Sequence, residues 1–285
     1  MRGGLPFIVN DMLASLSAFV TLAIIHSMLN DDAVGLYTQA NKLLGTFMFV
    51  SAVVGAALLP AISRLATQDP ARFQAAQTRV FGVLVIAGLP VMAGAIVLAH
   101  PLCRLLYGST RFVGMAPVLQ CCALAVIPLY IVSTMYQFLV AQRKNLQWTR
   151  YLITTYGIAA LASLLLIPLT KSLWGNGAIG AALALAFSET CGAIFAFYLL
   201  RTNPFAQGMG WRITRALGAT LLMAGVMWVT RDLFVVIPAV LGTVVFVGAA
   251  WLLRALPAEE QALIVSVFLK KLGRFLPGRA KTQTL

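Results

Sequence analysis

Charge is what this chain has least of, and acid above all. Of its 285 residues only 8 are Asp or Glu and 2 are His, and charged residues make up 10% of the whole. A soluble globular chain carries about 25%, so that class is excluded. The shortage of acids and histidines also argues against an enzyme acting on sugars or lipids. Such chemistry would call for a sizeable loop carrying acids, arginines or histidines. The longest loop on the side away from the termini, His100 to Gly114, holds His100, Arg104 and Arg111 and no acid. Cysteine is equally uninformative as a framework. Cys103, Cys121, Cys122 and Cys191 form no paired pattern, and neither histidine lies near them in sequence, so they read as small buried hydrophobes and not as metal ligands. No cofactor or metal is expected. A cleavable leader is not expected either, because Asn10 and Asp11 interrupt the first apolar segment and no small-residue cleavage site follows.

What the chain has instead is hydrophobic length. Apolar residues make up 60% of it. Runs of roughly 20 apolar residues are long enough to cross the hydrocarbon core of a bilayer. Eight candidate spans follow: Pro6 to Met28, Leu36 to Ile62, Val80 to Ala99, Met115 to Ala141, Tyr151 to Leu169, Gly177 to Leu200, Ile213 to Thr230 and Leu233 to Ala255. They are too continuously apolar for the alternating strands of a membrane barrel. The fold class is therefore an all-α, multi-pass integral membrane protein.

The net charge of +13 is read through that topology. It does not mark a nucleic-acid binder, since no basic, aromatic-interleaved soluble module accompanies it. Sixteen of the 21 Lys and Arg fall on the side holding the amino terminus and five on the other. The positive-inside rule then places both termini in the cytoplasm. Beyond the last span, Ile264, Val265, Phe268, Leu269, Leu272, Phe275 and Leu276 gather on one helical face, with Lys270, Lys271 and Arg274 on the other. This predicts a basic amphipathic helix lying on anionic lipid at the inner surface.

Polar residues inside the spans are the candidate site. In the first, Asn10, Ser17 and Thr21 recur at helical spacing beside a stripe of Asp11, Ser15 and His26. Two readings stand: hydrogen bonds between helices, or the lining of a water-filled cavity, with Asp11 as a coupling acid. In the second span Gln39, Lys42 and Thr46 continue the polar strip. Lys42 either reaches the outer headgroups or stands as a fixed cation for an anionic cargo such as a lipid diphosphate. In the sixth, Glu189 rises from a strip of Ala182, Ala186, Gly192, Ala193 and Ala196. Small residues let helices approach closely, so this acid is expected inside the bundle, as a structural hydrogen-bonding group or an ion-coupling site. Pro90, Pro117, Pro128, Pro168 and Pro238 lie in or near apolar runs, where each favours a kink.

Several stretches resemble a known family. AVGLYTQANKLL, GAALLPAISRLA, LLYGSTRFVGMAPVLQ, the AQRKN loop and GAIGAALALAFSE are similar to the carboxy-terminal half of bacterial oligosaccharide flippases, in the multidrug/oligosaccharidyl-lipid/polysaccharide exporter superfamily. The resemblance implies a V-shaped cavity between two six-helix bundles and movement of an undecaprenyl-diphosphate-linked oligosaccharide from the inner to the outer leaflet by alternating access. It implies that residues 1 to 200 are the second bundle, 201 to 256 an appended helix pair and 257 to 285 a cytoplasmic tail. The location implied is the bacterial inner membrane. The peptidoglycan lipid II flippase lies in the same superfamily. Lys42 stands where that protein has an arginine, and Gly45 where it has an acid, which favours an O-antigen or exopolysaccharide repeat unit. The first bundle is missing, so the chain is either a piece of a longer protein or works with a separate amino-terminal half. On this reading Lys42, Gln39, Asn41, Asn10 and Ser17 contact substrate, and Asp11 and Glu189 couple the ion. A drug or cation antiporter of the same superfamily is the alternative within transport; outside it stand a membrane enzyme on lipid-linked sugar and an inactive scaffold.

Overall fold

The computed structural model describes residues 5–49, 51–52, 64–65, 70–108, 114–142, 144–200 and 208–253. All regular structure among them is helical: α1 (Leu5–Met28), α2 (Asp31–Phe47), α3 (Pro70–Val97), α4 (Ala99–Tyr107), α5 (Met115–Ala123), α6 (Val126–Ala141), α7 (Asn145–Trp174), α8 (Gly177–Leu200), α9 (Met209–Val229) and α10 (Val236–Leu252). The expected amphipathic tail helix and the apolar stretch from Val53 to Ile62 lie outside the described residues.

Three helical segments are long and apolar enough to cross a membrane, Arg72–Val97, Leu146–Trp174 and Gly177–Leu200. The pair α5 and α6 makes a fourth crossing if taken as one span. Helices also occupy the sites of the other expected spans, α1, α2, α9 and α10. The described residues are thus those of an all-helical, multi-pass membrane protein. Its outer faces carry the apolar residues that a soluble protein would bury. Leu161, Leu165, Ile194, Leu221 and Val244 are all exposed, as surfaces bathed in acyl chains require.

Local chemistry explains the ends. The Asn30 side chain accepts from the Ala33 amide at 3.4 Å, and Asp31 and Asp32 occupy the first turn of α2, where carboxylates complement the positive end of the helix. The helix therefore starts at Asp31, five residues before the apolar run read from the sequence. Between α7 and α8 the chain reverses in two residues. Gly175 takes the left-handed conformation at φ 66°, and the Asn176 side chain accepts from the Ala178 amide at 3.0 Å. Lys171 sits in the last turn of α7.

Two sequence expectations are refined. The fourth span is two helices meeting at 47°. Pro128 has no N–H to offer the Leu124 carbonyl, and the backbone tightens there, Leu124 N–H bonding Cys121 O at 3.2 Å and Ala125 N–H bonding Cys122 O at 2.9 Å. With the break, Pro128 stands third in α6, as Pro117 and Pro238 do in α5 and α10, where no bond within the helix is lost. Pro90 and Pro168 are inside α3 and α7.

Helices α7 and α8 form the most extensive pair among the described residues; α1 lies on α7, α2 on α5 and α8, and α9 on α3 and α10. Glycines set the closest approach. A methyl on Gly180 would collide with the Leu166 carbonyl and the Thr170 hydroxyl of α7. One core joins α2, α3, α5 and α8 around Leu44, Leu84, Leu119 and Ala182. A second is aromatic: Phe81 lies 5.4 Å from Phe138 and 5.3 Å from Phe197, ring centre to ring centre, spacings at which edge and face attract.

Candidate functional site

Where α1, α2, α7 and α8 converge, they leave a cavity of about 390 Å³. Each helix supplies one stripe. From α2 come Tyr37, Thr38 and Asn41; from α7, Thr155, Tyr156 and Ser163; from α8, Ser188 and Glu189; from α1, Thr21. The stripes follow from helical geometry, since residues three or four apart share a face. On α7 the series Tyr151, Thr155, Ala159 and Ser163 steps by four and is buried throughout.

Much of the polar equipment on these walls turns its hydroxyls back onto its own helix. Thr38 donates to the Val34 carbonyl at 2.8 Å and Ser188 to the Leu185 carbonyl at 3.0 Å, which leaves hydroxyl lone pairs as acceptors. Glu189 is different. Its Oε2 is fully buried and has no hydrogen-bond partner among the described residues. Its carboxyl interacts electrostatically with the hydroxyls of Tyr37, Tyr151 and Tyr156. A buried carboxylate oxygen left without a donor is costly, and a proton or a small cation would offset that cost.

Gly192 places the tyrosine. A methyl there would stand 2.6 Å from the Tyr151 hydroxyl and 3.1 Å from the Thr155 hydroxyl. The bare backbone of α8 thus lets the α7 hydroxyls approach one turn from Glu189, as the strip of small residues led one to expect.

The sequence-derived candidates distribute unevenly. Asn41 and Glu189 line the same cavity. Gln39 is half-buried on another face of α2, where its Oε1 accepts from the Tyr107 hydroxyl at 3.4 Å. Lys42 is exposed, next to Asn41 in the chain but not on the cavity wall. Asn10, Asp11 and Ser17 lie on α1, and their side chains are outside those described. Of the rest of the α1 wedge, Thr21 faces the cavity while Ser15 and His26 are exposed. Sequence reasoning missed Tyr37, Thr38, Thr155, Tyr156, Ser163 and Ser188. The four-residue step of Tyr151, Thr155 and Ser163 was the available signal, hidden because hydroxyls on an apolar helix read equally well as packing.

Among the described residues no group of three or more His, Cys, Asp or Glu is placed to hold a metal ion. The arrangement is one for binding, with hydroxyl and amide acceptors, aromatic edges and one buried acid.

No curated protein matches the chain by sequence. Residues 1–117 match the family of polysaccharide biosynthesis proteins. Among solved structures the fold is similar to that of the lipid II flippase MurJ in an inward closed conformation, with a TM-score of 0.70 and 18% sequence identity, covering 86% of this chain and 52% of that one. The chain therefore spans about half the length of that protein. The amino-terminal 117 residues are thus similar to polysaccharide biosynthesis proteins, and the fold is similar to that of the solved flippase.

Proposed function

We propose that this chain is the carboxy-terminal half of a flippase that carries an undecaprenyl-diphosphate-linked oligosaccharide from the inner to the outer leaflet of the bacterial inner membrane. The observation that carries this reading is the cavity among α1, α2, α7 and α8, where Asn41, Glu189 and several hydroxyls interrupt a largely apolar wall, within a bundle whose fold is similar to that of a flippase. A dry packing interface would have no use for such a hollow. In this proposal residues 1 to 200 form one six-helix bundle, 201 to 256 the appended pair and 257 to 285 the cytoplasmic tail, with both termini cytoplasmic. A second six-helix bundle closes the transport path along the exposed faces of α1 and α2.

The division of labour follows from exposure. Lys42, Gln39, Asn10, Ser17 and Asn41 belong to the substrate path; Lys42 is free to meet a diphosphate by a charge-assisted bond. Glu189, with Asp11, belongs to the coupling ion. The sugar is an O-antigen or exopolysaccharide repeat unit, and the protein does no covalent chemistry on it.

A second reading, a cation or drug antiporter, draws on one specific feature. Glu189 shares its cavity with Tyr37 and Tyr156, and an acid among aromatic rings suits an organic cation. Reconstitution separates the two. The chain, alone and together with its partner half, is placed in vesicles containing a fluorescent undecaprenyl-diphosphate oligosaccharide. Protein-dependent transfer between leaflets is expected. Transfer of small cations with no movement of the lipid would instead establish the antiporter.

A further inference from the structure

A larger cavity, about 760 Å³, lies away from the proposed transport path. It opens where α3 ends at Val97 and α9 ends near Trp228, so it sits at the exit end of two apolar helices, with α4 and the turn before α10 as its walls. Arg104 of α4 and Arg231 of the turn both line it, with His100 beside them. Helix α4 fixes Arg104 by burying Ala99 and Cys103, so the next residue along the helix turns outward. Arg104 has no acidic partner among the described residues. Arg231 is stacked over the Trp228 ring, its guanidinium carbon 4.1 Å from the ring centre. Among the described residues its acidic partner is Asp232, at 3.9 Å, which also lines the cavity and whose side chain is 92% exposed, too wet a pair to satisfy the guanidinium.

From this geometry we propose that the cavity binds the phosphate headgroup of an anionic membrane lipid, gripped between Arg104 and Arg231. Guanidinium forks match phosphate oxygens. The volume is within the roughly 300–1,000 Å³ of small-ligand sites. The position supplies the lipid: a span ending at Val97 puts the cavity at headgroup depth, and Trp228 is the type of residue found at that boundary. Leu105, Leu233 and Phe234 are exposed on the cavity wall, where the acyl chains of a bound lipid would descend. This site is independent of the transport reading, since it uses none of the cavity around Glu189.

The test uses the full chain purified in uncharged detergent, with native mass spectrometry and thermal midpoints read after adding phosphatidylglycerol, phosphatidylcholine or inorganic phosphate. Phosphatidylglycerol is expected to be retained at least fivefold over phosphatidylcholine and to raise the midpoint. The R104Q/R231Q double variant is expected to lose both effects. Arg104→Gln alone leaves the stack on Trp228 intact and is expected to lose most of the preference while its unliganded midpoint stays within a degree or two. Equal retention of the two lipids, or a preference unchanged in both variants, would overturn the proposal. A midpoint shift with inorganic phosphate as large as that with the lipid would assign the arginines to a soluble anion and overturn the lipid.

Discussion

The Tyr130 hydroxyl donates to the Phe47 carbonyl at 2.6 Å, so a side chain from the upper part of α6 closes the last turn of α2. Phe47 is the final residue of that helix, where carbonyls have lost their intrahelical partners. Ser51 and Ser133 bond each other just beyond. The first turns of α6, just after its bend from α5, thus meet the end of the helix that carries Asn41 and Lys42.

Removing that bond tests the coupling. Tyr130→Phe keeps the ring, which is fully buried, and leaves the carbonyl without a donor in a nonaqueous setting. A loss of about 1–3 kcal/mol is expected, read as a lower thermal midpoint in detergent, with unchanged insertion into membranes.

Glycine substitutions should sort by what the new methyl meets. Gly180→Ala runs into backbone of α7, which cannot rotate away, and should cost about 1–3 kcal/mol or more. Gly35→Ala meets nothing within 4 Å and lies inside α2, so it should stabilise by about 0.5–1 kcal/mol. Thermal midpoints of the two variants, measured side by side, check the ordering. Equal effects would mean that α7 and α8 are not in the close contact described.

Glu189→Gln retains shape and removes the charge. If the acid couples an ion, leaflet transfer in reconstituted vesicles should fall at least tenfold while the midpoint holds or rises, since a buried carboxylate is costly. A variant that transports normally would reduce Glu189 to a structural group.

Lys42→Gln tests the substrate path separately. The residue is exposed, so folding should change by no more than about 0.5 kcal/mol. Apparent affinity for diphosphate-linked substrate should weaken severalfold, with a smaller dependence on salt than in the parent chain. Unchanged affinity and salt dependence would remove the lysine from the path.

How much of the site could be read in advance depended on the type of side chain. Glu189 and Lys42 stood out because charge is rare on apolar helices, and each was located by that rarity. Asn41 came with the family resemblance. Tyr37, Thr155, Tyr156 and Ser188 did not stand out, because tyrosine and threonine bury as readily in a packed core as around a hollow. Helix α4 was also missed as an element. Its nine residues are too short to span and carry His100 and Arg104, so they read as loop.

Composition and run length by themselves determined that this chain is helical and crosses a membrane. Unpaired backbone groups are not tolerated in hydrocarbon, and long apolar runs have no other stable home. Only the tertiary structure decided which stripes face one another. That choice rests on glycines at Gly180 and Gly192 that let α7 and α8 close, and on a bend before Pro128 that carries Tyr130 to Phe47. Helix-to-helix contact in lipid lacks a hydrophobic drive and is decided by shape and polar pairing, and neither is written in the hydropathy of a single span.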